Sequence, residues 1–270
     1  MNSTGRSSLF HAAAAAAALL FAVANVTHAG IIGGWSASRG GPSSAILTGG
    51  EGTVLRQEVA AHFAEATFAE SSYLSSTFLS SIDMLYISAV YNGFDMVAPL
   101  DSTEQANLTA WVSNGGRALL VTDNPAFAPT GNSMVNPFGL SISGSGGDGA
   151  QLGTITDHTS WPMLTDGPFG TVNTVHGGYI GSYNPGVPAS VAVLGIWNLH
   201  GLPALAATNY GNGSVVFYGD ESMMGDTTLL DNVLAFTLVP EPSTMGFVIS
   251  AGIPGILLAS RRRRLQGRRF

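Results

Sequence analysis

The chain contains no cysteine and no lysine. The first absence removes disulfide staples, thiolate-bound zinc and thiol nucleophiles together, so stability has to come from a packed core. There is no H-E-x-x-H helix and no G-x-S-x-G elbow, which excludes the commonest zinc-protease and serine-hydrolase arrangements. The second absence makes all ten basic residues arginine, and seven of them sit near the ends, at Arg6 and from Arg261 to Arg269. Residues 30–239 keep only Arg39, Arg56 and Arg117 against sixteen carboxylates, a formal charge of −13 that the whole-chain value of −7 conceals. Such a body repels nucleic acid and attracts cations or basic partners.

The two ends read as addresses. Residues 1–29 carry one early positive charge, an apolar run from about Ala12 to Val26, and small residues before a cut at Ala29, the pattern of a secretory signal. The run is shorter than the roughly 20 residues that a membrane-spanning helix needs. At the other end, residues 239–270 open with Pro240-Glu241-Pro242. A glycine-interrupted apolar stretch over 244–260 follows, read as a short transmembrane helix. Arg261, Arg262, Arg263 and Arg264 head the basic end 261–270. Positive residues behind an apolar helix hold that end in the cytoplasm and leave the body outside.

Pro-Glu-Pro, short helix and arginine cluster in this order resemble the PEP-CTERM sorting signal of Gram-negative bacteria. The resemblance implies an exosortase-type enzyme as partner, a transient anchor in the inner membrane, and delivery to the cell surface or to an extracellular polysaccharide matrix such as a biofilm.

Between the addresses, 30–43 reads as a linker and 44–238 as one domain. SSAILTGG reads as a first strand, TVLRQEVAAHFAEATF as a helix with Val54, Leu55, Val59, Phe63 and Phe68 at helical spacing, and IDMLYISAVY as a buried strand. STEQANLTAWVSNGG follows as a helix capped by Ser102 or Thr103, and RALLVTDN as another buried strand. From about Pro125 to Pro188 the chain is rich in Gly, Ser, Asn and Pro, which predicts loops and short irregular strands. SVAVLGIW, PALAATNY and GSVVFYGDE then predict three strands, with a tight turn at Asn212-Gly213, before a closing helix capped by Asp226. The order predicts an α/β fold of three layers: a mostly parallel sheet, helices on both faces, a C-terminal hairpin, and the separate tail helix.

LTAWVSNGGRALLVTDN, HTSWPMLTDGPFG and PALAATNYGNGSVVFYGDE are similar to glutamine-amidotransferase-like domains of the flavodoxin type. Those enzymes use a cysteine at a strand-to-helix turn, so a chain without cysteine lacks that activity.

In an open parallel sheet the binding crevice lies beyond the carboxyl ends of the strands. The expected strand ends carry Glu51, Asp123, Asp220 and Glu221, oxygen donors suited to calcium or magnesium. The alternative is that Asp123 and Asp220 cap the turns that follow them. No organic cofactor is expected. His62, on a helix, and His158, His176 and His200, in loops, read as surface or packing residues. Without a recognisable nucleophile, zinc site or cofactor loop, the composition favours a non-catalytic binding or structural module. The alternative is a secreted hydrolase acting on carbohydrate or peptide through the acidic strand ends. Replacing Pro240, Glu241 and Pro242 with alanine is expected to leave an unprocessed, membrane-retained form, detected by mass and by cell fractionation.

Overall fold

The computed structural model describes residues 30–91, 95–143, 151–178, 181–184 and 186–238, all within the unit Ala29–Val239. Ala29, Pro240, Glu241, Pro242 and the arginines 261–264 lie outside the described residues, and so does the expected tail helix.

Among the described residues, nine strands share one sheet: β1 (Ile31–Trp35), β2 (Thr67–Ser71), β3 (Met84–Ser88), β4 (Arg117–Val121), β5 (Gln151–Ile155), β6 (Thr174–Gly177), β7 (Val191–Trp197), β8 (Pro203–Tyr210) and β9 (Gly213–Tyr218). Their order is β6-β5-β7-β8-β9-β4-β3-β1-β2. The pairings from β2 across to β9 are parallel and those from β9 to β6 antiparallel, so seven of the nine strands point the same way. The sheet is mixed and mostly parallel, as the strand-helix alternation predicts.

Successive strand residues face opposite sides, and both sides are apolar. Met84, Leu119 and Val216 join one core, under helices α1 (Thr53–His62) and α4 (Thr227–Leu238). Leu85, Leu120 and Phe217 join the other, under α2 (Ser102–Ser113) and α3 (Ala128–Val135). Three layers result. They agree with right-handed crossovers: β1 leads to β2 on one side, and the chain then returns across β1 to β3, β4 and finally β9, which puts the reversal of direction between β1 and β3.

Several expected boundaries move. The stretch 30–43, read as a linker, supplies β1, while SSAILTGG is a turn whose Ile46 is buried over that strand. Two central glycines hid β1 from a reading that treats glycine as a breaker. A Cβ on Gly33 would meet Ile82 and Phe78, and one on Gly34 would lie 2.8 Å from the Tyr86 carbonyl and collide with Ile46. The first helix stops at His62, and Phe68 belongs to β2. The hairpin closes at the Tyr210–Gly213 pair, so its two-residue loop is Gly211-Asn212, with Gly211 at φ +63°, one position earlier than expected.

The cap of α2 is Asp101, where Ser102 or Thr103 was expected. Its carboxylate accepts the Thr103 and Glu104 amides, both at 2.8 Å, and Glu104 Oε2 accepts the Asp101 amide at 3.1 Å. Glu104 is only 2 % exposed because Oε1 also meets the Leu74 amide and Arg39 Nη1. The Arg39 guanidinium in turn stacks 4.3 Å over Trp35 and donates to the Ser72, Ala98 and Pro99 carbonyls. One buried ion pair thus ties together the segments that leave β1, β2 and β3. Glu104→Ala strands that guanidinium and is expected to cost about 3–5 kcal/mol. Asp101→Ala removes the cap and an exposed hydrogen bond from the Tyr73 hydroxyl, and is expected to cost about 1 kcal/mol. Urea unfolding of the two variants checks the ranking.

Candidate functional site

The last register pair between β4 and β9 is Val121 with Tyr218. Two residues beyond each stand Asp123 and Asp220, so parallel pairing sets both carboxyls at the same height on the C-terminal edge. Asp220 starts the 3-10 turn Glu221–Gly225, and its Oδ1 accepts the Ser222 amide at 2.8 Å and the Gly178 amide at 3.1 Å. Asp123 Oδ1 accepts the Asn124 amide at 2.6 Å and Asn124 Nδ2 at 2.8 Å, and the Asp123 carboxyl also takes the Glu221 amide. Glu51 arrives from the β1–α1 connection, where its carbonyl lies 3.5 Å from the Tyr86 hydroxyl, and its side chain hydrogen-bonds with Glu221.

The segment 181–183 closes the floor. Tyr183 donates to the Tyr218 carbonyl at 2.9 Å, and Trp197 Nε1 donates to the Gly181 carbonyl at 2.7 Å. Asp220 is 1 % exposed and Asp123 9 %, while Glu51 and Glu221 are partly exposed. Asp220 Oδ2 is buried with no hydrogen-bond partner.

Burial and mutual repulsion act on these groups together. Desolvation, then the charge of Asp220, pushes Asp123 up to about 7. Desolvation, then Glu51, then the two aspartates, pushes Glu221 up to about 9. Asp220 is raised by burial, partly offset by its amide hydrogen bonds. Tyr86 is raised by burial and by the nearby charges of Glu221 and Glu51. The structure therefore brings the sequence-predicted acids to one sheet edge, and the turn-capping alternative holds for Asp220 but not for Asp123, since Asn124 caps the turn that follows Asp123.

A cation cage is a stricter requirement. Among the described residues, one group places three ligand atoms within 4.8 Å of one another, and it consists of Glu58, His62 and Asp231. Glu58 and His62 are four apart on α1, and Asp231 lies on α4. His62 Nε2 is 3.7 Å from Glu58 Oε2 and 3.6 Å from Asp231 Oδ2. Desolvation and the Glu58 charge push Asp231 up to about 6, against the pull of His62. The sequence carried half of this signal in the E-x-x-x-H spacing of Glu58 and His62; a ligand from a distant helix left no local trace. His158 and His176 likewise pair with carboxylates, His158 with Asp166 at 2.9 Å and His176 with Asp226 at 2.6 Å. Asp226 stands at the expected cap position before α4, its carbonyl accepting the Leu230 amide at 3.0 Å, and its carboxylate accepts the His176 amide and pairs with the His176 ring.

No protein-family model matches the chain, and no curated protein matches it. Among solved structures, the mmIFT52 N-terminal domain is 11% identical, with 78% of this chain and 98% of that one covered and a TM-score of 0.55. The cold-adapted β-galactosidase of a Rahnella species is 10% identical, with 80% and 32% covered and a TM-score of 0.52. The β-galactosidase of Bacillus circulans sp. alkalophilus is 12% identical, with 78% and 31% covered and a TM-score of 0.51. The chain spans about a third of the length of these galactosidases. At such identities the likeness shows a shared fold and nothing of activity.

The raised carboxyls set a pH dependence of stability. Between the ordinary carboxylate range and the raised values, the folded state holds protons that the unfolded state has released, so stability falls as pH rises. The stabilisation is present in full below about pH 4. It is lost as pH rises through about 7 for Asp123 and through about 9 for Glu221. Each step of one in pH over which the folded state keeps one such extra proton costs about 1.4 kcal/mol, so the fall amounts to several kcal/mol. Asp220→Asn keeps the Oδ1 acceptor and removes a like charge, and is expected to raise the urea midpoint at pH 8 more than at pH 5.

Proposed function

We propose that the chain is an exported cell-surface or matrix protein, anchored transiently through its tail. We infer that its α/β domain binds a neutral, hydroxyl-rich ligand of the extracellular polysaccharide class in the strand-end crevice. The export half of this reading rests on the signal-like 1–29 and the PEP-CTERM-like 239–270. The binding half rests on one observation: Asp123, Asp220 and Glu221 lie together at the C-terminal sheet edge with carboxyls raised by burial, and the Glu51 side chain hydrogen-bonds with Glu221. Near neutral pH Glu221 holds its proton and Asp123 is close to half protonated. The crevice then offers O–H donors and carboxylate acceptors side by side, the combination that a sugar hydroxyl uses in both directions. Asp220 Oδ2, buried without a partner, is an acceptor for a ligand donor.

A second reading uses the same atoms. A carboxyl that titrates near 7 is matched to general acid–base work, as in glycoside hydrolysis by two carboxyl groups. A divalent cation is a third occupant, since it replaces the retained protons as the means of holding like charges together.

The three are separated by one set of measurements on the purified protein. Neutral glucans and mannans are expected to bind at pH 7, at least tenfold more weakly to Glu221→Ala, and more weakly at pH 10, where Glu221 has lost its proton. Release of reducing ends that stops in Asp123→Asn would favour the hydrolase. Stabilisation by calcium beyond that by magnesium at matched ionic strength, abolished by Asp123→Asn, would favour the cation. Absence of glycan binding would overturn the proposal.

A further inference from the structure

We propose that Glu58, His62 and Asp231 form a divalent transition-metal site of the zinc class between α1 and α4, separate from the acidic crevice. Each of the three offers one donor atom, and all three donors lie within 4.8 Å of one another. The histidine–carboxylate separations of 3.6 and 3.7 Å are too long for hydrogen bonds. They are close to the roughly 3.3 Å that separates neighbouring ligand atoms in a tetrahedral site with bonds of about 2.0–2.1 Å. One imidazole nitrogen with two carboxylate oxygens is a donor set that zinc accepts, with a fourth position left open.

A second observation points to a ligand. Asp231 is 5 % exposed, and its Oδ1 is buried with no hydrogen-bond partner, although its Oδ2 faces the other two donors. A buried carboxylate normally has its lone pairs met by a donor or a cation; the Asp231 side chain hydrogen-bonds with Glu58, and Oδ1 is still left without a partner.

The surroundings are built to hold this geometry. Glu58 and His62 occupy one face of α1 at a one-turn spacing. Asn232, next to Asp231, accepts the Phe169 amide at 3.0 Å and donates to the Gly170 and Leu164 carbonyls at 2.9 and 3.2 Å. That clamp seats the Phe169 ring edge-on against the His62 imidazole, with centroids 4.9 Å apart, as an apolar wall beside the donors. Apolar cover of this kind limits water access and strengthens a metal–carboxylate bond.

The test uses the untagged full chain after chelator dialysis, titrated with cobalt(II) and zinc(II). One ion per chain is expected, with the visible absorption of four- or five-coordinate cobalt, which zinc then displaces. His62→Ala changes a partly exposed side chain and is expected to weaken binding at least tenfold; Asp231→Asn is expected to do the same. His176→Ala and His158→Ala are expected to bind as the unmodified chain does. Binding that survives His62→Ala, or that is lost in His176→Ala or His158→Ala, or no binding at micromolar metal, would overturn the site.

Discussion

The parallel register between β4 and β9 is the constraint on which the functional edge depends. Strands paired this way lie about 4.8 Å apart, so residues at matching distances beyond the last pair are forced to be neighbours. Here those neighbours are Asp123 and Asp220, and the chain between the two strands packs beside them, with Gly181 against the Asp123 carbonyl and the Gly178 amide donating to Asp220. Sheet geometry brings two like charges together, and desolvation makes their ionisation unfavourable. Glu221, on the turn after β9, extends the same effect outward, and Glu51, at the opening of α1, adds to it by its charge and its hydrogen bond to Glu221.

The edge can hold such a cluster because its backbone is fixed by other means. Beside it, Arg39 and Glu104 bind the segments leaving β1, β2 and β3, with the Trp35 ring beneath the guanidinium and the Trp35 indole N–H donating to the Ser88 carbonyl at 3.2 Å. The other two arginines of the body have structural partners as well. Arg56 donates to the Ile46 carbonyl, which holds the buried turn over β1, and Arg117 donates to the Phe236 carbonyl of α4.

Much of this was legible in the sequence, for definite reasons. Strands buried on both faces read as continuous apolar runs, so RALLV and GSVVFY announced where β4 and β9 end and placed Asp123 and Asp220 just beyond them. Length and order of the runs were enough for the three layers and the mostly parallel sheet. What stayed hidden depended on contacts remote in sequence. Gly33 and Gly34 look like breakers until Ile82, Phe78 and Ile46 are seen against them. Asp101 and Ser102 are equally plausible caps by residue type, and Glu104 decides between them by reaching back. Asp231 joins His62 only because α1 and α4 cover the same face. The formal charge of −13 also overstated the field of the body, since it counts as ionised the acids that burial keeps protonated.

The way the three arginines are folded in also bears on how the body withstands proteolysis. With no lysine in the chain, a protease that cuts after basic residues has only Arg39, Arg56 and Arg117 to attack between residues 30 and 239. All three lie within regular secondary structure and each donates to a backbone carbonyl. A protease needs several residues drawn out as an extended strand, so cleavage has to wait for local or global opening. Resistance to trypsin-like enzymes is then a property of the folded ensemble, and it weakens in alkaline surroundings, where the strand-end acids lose the protons that burial had kept.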